Sequence, residues 1–248
     1  MLYFEILIFF FIIAMIYSSV GFGGGSSYLA ILALYNFPYE GIRIVSLLCN
    51  IVVVTNAAIL FIMKKEVNWK KILPLVIISI PMAFLGGYIR LGEHVFYIIL
   101  GFILLLAASL LWIKNKPIAE SRQTDPNSAV SNLILGGSIG FISGLVGIGG
   151  GIFLSPILNF IKWDTAKHIA VAATIFILVN SLAGISGQLL HAEIKVLLVK
   201  VLSLMLVVLI GGQIGSRLLI NRFNPDKIRR ITAVLVFVAG MEILYKHL

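Results

Sequence analysis

Apolar residues run along this chain in long blocks separated by short polar joints. Four blocks occupy 2–36, 42–63, 72–91 and 95–113 (A to D), and four more occupy 129–161, 168–190, 194–220 and 228–245 (A′ to D′). Most are near the ~20 residues a helix needs to cross a hydrocarbon core about 30 Å thick. Helix is predicted for every block, because lipid tolerates only helices and closed barrels, and the strand-length alternation of a barrel is absent. Trp69, Trp112 and Trp163 fall at block ends, where an indole sits at headgroup level. The one real linker is 114–128 (KNKPIAESRQTDPNS), with Pro117, Pro126 and mixed charges. The chain opens without a basic n-region, and its first apolar run continues past Gly25. That segment is therefore read as structure rather than as a removed signal.

Composition narrows the class. Of 248 residues, 60% are hydrophobic and 12% are charged, half of the ~25% usual in soluble domains. This excludes a soluble enzyme, a disordered chain and a disulfide scaffold, and it leaves a polytopic membrane protein. A single cysteine, Cys49, allows no intrachain disulfide and reads as an apolar filler. The net charge of +9 lies mostly at block ends. There it follows the positive-inside rule rather than marking a nucleic-acid partner, so the expected partners are the bilayer and a small solute.

The chain is read as a duplication. Val20-Gly21-Phe22-Gly23-Gly24-Gly25 in A matches Val146-Gly147-Ile148-Gly149-Gly150-Gly151 in A′, an offset of 126. Leu85-Gly86-Gly87-Tyr88-Ile89 matches Ile210-Gly211-Gly212-Gln213-Ile214 at 125, and Arg43 and Lys70 match His168 and Lys195 at the same spacing. Ordered matches at a nearly constant offset give a first transmembrane repeat at 1–113, a polar cytoplasmic linker at 114–128 and a second repeat at 129–248.

Blocks A and A′ are too long for one straight crossing and short for two. If each enters and leaves on one side, fourteen of the 19 Lys and Arg share a side, against five (Arg43, Arg90, Lys195, Lys200, Lys246) on the other. If each crosses once, the bias vanishes. The positive-inside rule selects the first reading, with both termini extracytoplasmic. Each half then makes an odd number of net crossings, so the fold expected is all-α, with two inverted repeats each opened by a Gly-broken hairpin or discontinuous helix.

Four glycines in five positions, twice, call for a reason, since each costs about 1 kcal/mol relative to alanine in a helix interior. One reading is a break deep in the membrane, with new helices starting near Ser26 and Ile152. Free N–H groups and the helix dipole would then form an anion site, with hydroxyls from Ser26 and Ser27. The other is close packing, for which Gly21/Gly25, Gly147/Gly151 and the stripe Gly136, Gly140, Gly144 have the right spacing. Packing is preferred for the stripe and the break for the clusters, because packing does not require three consecutive glycines. No Lys-Ser/Thr follows either cluster, which argues against a nucleotide loop.

Block B carries Ser46, Asn50, Thr55 and Asn56; block B′ carries Thr174, Asn180, Ser181, Ser186 and Gln188. Amides are costly in lipid and should face the bundle interior, as ligand contacts or as interhelical hydrogen bonds. No Asp or Glu lies mid-block, which speaks against a carboxylate proton relay and against a cation substrate. Arg43 and His168 sit at equivalent block starts, as attractors for an anion or as ordinary interface charges. The four histidines show no zinc spacing, and no cofactor, metal or nucleophile–base pair is expected.

The two Gly-x-Gly-Gly-Gly clusters opening homologous halves resemble the TauE/SafE sulfite exporter family of membrane permeases. Ser46-Leu47-Leu48 with Val67-Asn68-Trp69-Lys70, Asn180-Ser181-Leu182-Ala183-Gly184, and Gly211 through Arg217 add to the likeness, which covers nearly the whole chain. The resemblance implies transport of sulfur-containing anions such as sulfite, sulfonates or thiosulfate across a prokaryotic inner membrane, with the site between the halves near Gly21–Ser27 and Gly147–Phe153. Val45 stands where members often carry threonine, and only the second cluster keeps a following proline, Pro156, so the substrate stays open.

The function expected is a secondary anion transporter rather than an enzyme. The alternative is a non-transporting membrane scaffold or assembly subunit. Substrate-binding residues are expected at Gly23, Gly24, Gly25, Ser26, Ser27, Ser46, Asn50, Gly149, Gly150, Gly151, Thr174, Asn180 and Ser181. The oligomeric state is open, a homo-oligomer included.

Overall fold

A computed structural model describes residues 2–19, 23–112, 128–190, 198–218 and 225–248. All regular structure among them is helical: α1 Leu2–Ser18, α2 Gly25–Leu34, α3 Tyr39–Met63, α4 Trp69–Tyr88, α5 Glu93–Trp112, α6 Ser128–Val146, α7 Gly151–Phe160, α8 Ala166–Leu189, α9 Leu198–Leu218 and α10 Pro225–His247. The eight blocks thus become ten helices, because A and A′ each break once. Most of the linker, and residues 20–22 of the first cluster, lie outside the described residues.

Among the described residues, five segments are long and apolar enough to cross a membrane: Gly41–Met63, Trp69–Tyr88, Glu93–Trp112, Ala166–Leu189 and Val199–Arg217. Leu73, Ile77, Ile80, Phe102, Leu106 and Leu206 are exposed along them. An exposed apolar belt of this kind is at home only in lipid. The span Ala166–Leu189 is the most buried of the five. Where α4 and α8 begin, polar side chains cap the free N–H groups: Asn68 accepts from Lys71 N–H, and Thr165 from His168 N–H.

The helices α2 and α7 have 10 residues each, about 15 Å, half a hydrocarbon core. Neither can span it. Each instead turns back: Tyr35, just past α2, donates its hydroxyl to Glu5 Oε2 at 2.9 Å near the start of α1. On the other half, α6 runs parallel to α4, with Gly136 against the Leu75 carbonyl, Gly140 against Ser79 and Gly144 against Ala83. Asp164, just past α7, pairs with Lys71 in the first turn of α4 at 2.7 Å, so α7 also ends beside the start of its preceding helix. The 136–144 stripe is therefore a packing surface. Its glycines let two backbones touch where any Cβ would collide with a carbonyl.

Contacts between α1–α5 and α6–α10 pair off. The contact α1·α9 has its counterpart in α4·α6, α3·α9 in α4·α8, and α2·α10 in α5·α7, while α3 meets α8 and α5 meets α10. The helices α3 and α8 thus lie at the centre, and the starts of α2 and α7 are brought against them.

Candidate functional site

The geometry begins with backbone that only glycine adopts comfortably. Helix α6 ends where the N–H groups of Gly147 and Ile148 both bond the Ser143 carbonyl (2.8 and 3.2 Å). Gly147, Gly149 and Gly150 have φ near +85°, and Gly24 has φ +120°. The next helices start at Gly25 and Gly151, one residue before the starts expected from sequence. Neither start carries a side-chain cap. The first intrahelical bonds at full spacing run from Tyr28 N–H to Gly24 O (2.9 Å) and from Leu154 N–H to Gly150 O (3.1 Å). Phe153 N–H also bonds the Gly150 carbonyl (3.2 Å); the first-turn N–H groups before these point ahead of each helix, with the positive dipole end.

Asn50, at mid-length of α3 and fully buried, sits among these turns. Its Nδ2 donates to the Ile148 carbonyl at 2.9 Å, tying the first half to the second half's turn. Ser46, one helical turn earlier, donates to the Gly25 carbonyl at 2.9 Å. Any Cβ at Gly23, Gly25 or Gly149 would overlap the Asn50 amide. The symmetry is imperfect here. A Cβ at Gly151 would meet Ile177 instead, so Ile177 stands against the second helix start where Asn50 stands against the first.

A cavity of about 80 Å³ lies between the two helix starts, room for several waters or one small polyatomic anion. Its wall includes Gly23, Gly24, Gly25, Ser26, Asn50 and Gly151 of the residues expected from sequence. The others are placed elsewhere. Gly149 and Gly150 form the turn behind the wall, and Ser46 is engaged with Gly25. Ser27 is hydrogen-bonded to the Tyr17 hydroxyl at 2.6 Å. Thr174 and Asn180 donate to carbonyls of their own helix, Ala170 and Phe176, both at 2.8 Å. Ser181 is buried near Gly149, its hydroxyl without a partner.

The wall also holds Tyr17, Ser155, Asn159 and Thr232, which were not expected. Ser155 and Asn159 follow Gly151 at intervals of four, so one face of α7 runs from its start along the cavity. That spacing was visible in the sequence. Tyr17 and Thr232 come from α1 and α10, and nothing local marks them. Among the described residues, no Asp, Glu, Lys, Arg or His lies on this wall. Arg43 is not an entrance charge either: its guanidinium donates to the carbonyls of Gly86, Gly87, Ile89 and Gly144, at the C-terminal ends of α4 and α6 (3.0–3.3 Å), where the helix dipole favours a cation.

Residues 6–243 match the family described as "Sulfite exporter TauE/SafE". The chain belongs to the TauE/SafE family. A relative from Sinorhizobium fredii, "Probable membrane transporter protein y4hK", is 32% identical over 240 residues, covering 95% of this chain and 96% of that protein. "Probable membrane transporter protein MJ0441" of Methanocaldococcus jannaschii is 29% identical over 190 residues, 72% of this chain and 69% of its own length. "Probable membrane transporter protein YunE" of Bacillus subtilis is 25% identical over 221 residues, 81% and 79%. No solved structure matches the chain. TauE/SafE membership, the names of these relatives and the apolar helices together indicate a multi-pass membrane permease rather than an enzyme.

Proposed function

We propose that this permease is a secondary transporter of a small sulfur-containing anion such as sulfite, thiosulfate or an organosulfonate, held in the cavity where α2 and α7 begin. The observation that carries this reading is the pair of uncapped helix starts facing one cavity whose wall, among the described residues, has no charged side chain. Helix N-termini attract anions without neutralising them, each worth about 0.3–1 kcal/mol when exposed and up to ~2 when partly buried. A carrier needs that balance, since an ion bound by a full counter-charge would be slow to leave. Sulfur enters through the family's description.

In this reading the two halves, 1–113 and 129–248, are inverted repeats that rock about α3 and α8, and the paired contacts between halves support it. The setting is the inner (plasma) membrane, with the 114–128 linker cytoplasmic and both termini extracytoplasmic. Among the expected residues outside the wall, Gly149 and Gly150 shape the turn, and Ser27, Ser46, Thr174, Asn180 and Ser181 support the first layer.

Flux of sulfite, thiosulfate and taurine-like sulfonates into proteoliposomes containing the purified chain tests the proposal. Saturable, competing uptake of at least one is expected. Vesicles no more permeable to any of them than empty liposomes would leave a scaffold or assembly role as the better reading.

A further inference from the structure

We propose that the anion this site selects carries a hydrogen-bond donor of its own, an O–H or N–H group, which Asn50 Oδ1 accepts. The inference rests on the anion-site reading above and adds to it a rule for which anions qualify.

An amide offers two donors and one acceptor oxygen. At Asn50 a donor is committed, because Nδ2 bonds the Ile148 carbonyl at 2.9 Å. Its Oδ1, an acceptor, has no partner, in a residue of zero exposure on the cavity wall. The nearest wall residues, Gly23 and Gly25, have no side chains to meet it, and Ile177 on the other flank is apolar. The amide therefore presents an unmet acceptor beside its second N–H.

A fully deprotonated oxyanion has only acceptors. Against Asn50 it can take only the second N–H, and it leaves Oδ1 unsatisfied in a buried site. An anion with bare oxygens at one end and a donor at the other matches both features. Its oxygens meet the first-turn N–H groups at Gly25 and Gly151, and its donor meets Oδ1. The Ser155 hydroxyl, also buried, unpartnered and on the wall, donates or accepts as the pose requires. Hydrogensulfite-like monoanions and sulfonates bearing a hydroxyl or ammonium group satisfy this rule; thiosulfate, sulfate and simple alkanesulfonates do not, so the rule narrows the substrates proposed above. Sites built to hydrogen-bond a ligand's polar group reject the analogue that lacks it far more strongly than apolar pockets reject an extra methyl.

The test uses isosteric pairs at fixed pH on the purified full-length chain, with binding measured by calorimetry. Hydroxymethanesulfonate is compared with ethanesulfonate, and isethionate with propanesulfonate; in each pair a methyl replaces the hydroxyl at equal charge. Taurine tests an ammonium donor against the hydroxyl. The hydroxyl member of at least one pair should bind about 5- to 150-fold more tightly, the range for one buried acceptor left unmet. Asn50→Leu should collapse that ratio toward one. Equal affinity within both pairs, or a preference that survives in Asn50→Leu, overturns the donor rule while leaving an anion site standing. Binding of neither pair nor of sulfite removes the anion-site reading, and the donor rule with it. If Asn50→Leu fails to insert, Ser155→Ala decides: a preference that survives in it leaves Asn50 as the acceptor, and one that vanishes overturns the assignment.

Discussion

Lys71 Nζ donates to Asp164 Oδ2 across 2.7 Å, joining the first turn of α4 to the segment between α7 and α8. Asp164 is almost wholly buried and also takes the Thr165 N–H at 2.7 Å, with His168 Nδ1 at 2.9 Å from its other partner oxygen, Oδ1. The Trp163 ring lies 5.7 Å from the ammonium. Nearby, Lys167 reaches Glu66 at 2.7 Å, in a far more exposed pair. Both ion pairs place 64–71 and 162–168 on one side of the molecule. A chain in which A and A′ each crossed once would separate them.

Lys71→Met should therefore destabilise the fold strongly. It strands a carboxylate that is only 2% exposed, a change that typically costs about 3–5 kcal/mol, and the remaining contacts from His168 and Thr165 put the loss at the lower end. Lys167→Met breaks an exposed pair and should cost less than about 1 kcal/mol. Thermal unfolding of both variants in detergent checks the contrast, and equal midpoints would refute it.

The same carboxylate gives a pH dependence. Burial opposes the ionisation of Asp164, but hydrogen bonds from Lys71, His168 and the Thr165 backbone outweigh it and hold the carboxyl below its ordinary value. A depressed folded-state pKa means the contribution is fully present above the unfolded value, near 4, and is lost as pH falls through the folded value. The stabilities of wild type and Asp164→Asn should differ by a constant amount above about pH 4 and converge as pH falls below it, which acid unfolding of both checks.

Topology is the next expectation. Tyr97 in the first turns of α5 stacks on His247 at 4.2 Å between ring centroids, so the C-terminal end lies beside the start of α5, and Trp112 ends that helix at the far side. Reporter fusions at Leu248 and near Asn115 should report opposite faces of the membrane, Leu248 outside. Both reporters on one face would overturn the inverted arrangement.

The helices were legible because lipid demands them: each apolar block had to be helical, and the two breaks had to occur where three glycines ran together. The helix starts at Gly25 and Gly151 fell within one residue of expectation for that reason. Side-chain direction was not legible. Whether Asn50 offers a donor or an acceptor depends on the Ile148 carbonyl, ninety-eight residues away. Arg43 was open between an anion attractor and an interface charge because its carbonyl partners are assembled only when α4 and α6 pack. Asn180 and Thr174 looked as available as Asn50, yet both turn back onto their own helix, a choice no periodicity encodes.

The glycines divide by mechanism. Gly144→Ala drives a methyl into the Ala83 carbonyl and should lower stability while leaving anion affinity, in whatever folds, within about twofold; an overpacked contact costs typically 1–3 kcal/mol. Gly150→Ala meets the Phe176 ring and must also hold φ +84°, at about 1–2 kcal/mol for the left-handed backbone alone. It should lower both stability and affinity, because the turn that aims α7 is disturbed. Affinity measured at matched folded fraction separates the two, and unchanged affinity in Gly150→Ala would return the second cluster to packing.

Ser155→Ala separates site from scaffold most cleanly. The Ser155 hydroxyl is buried on the cavity wall and has no partner, so its removal relieves a desolvated polar atom at no cost in hydrogen bonds within the chain. Stability should hold or rise slightly. If the hydroxyl meets the anion, affinity should fall by about 2- to 13-fold, the equivalent of a net hydrogen bond of about 0.5–1.5 kcal/mol. Ser46→Ala is the opposite case, since its hydroxyl donates to the Gly25 carbonyl at 2.9 Å: stability should fall by about 1 kcal/mol as that bond is lost. Melting temperature and anion affinity measured on both variants should therefore move along different axes. A Ser155→Ala protein that melts earlier and binds as wild type would place that hydroxyl in the fold rather than in the site.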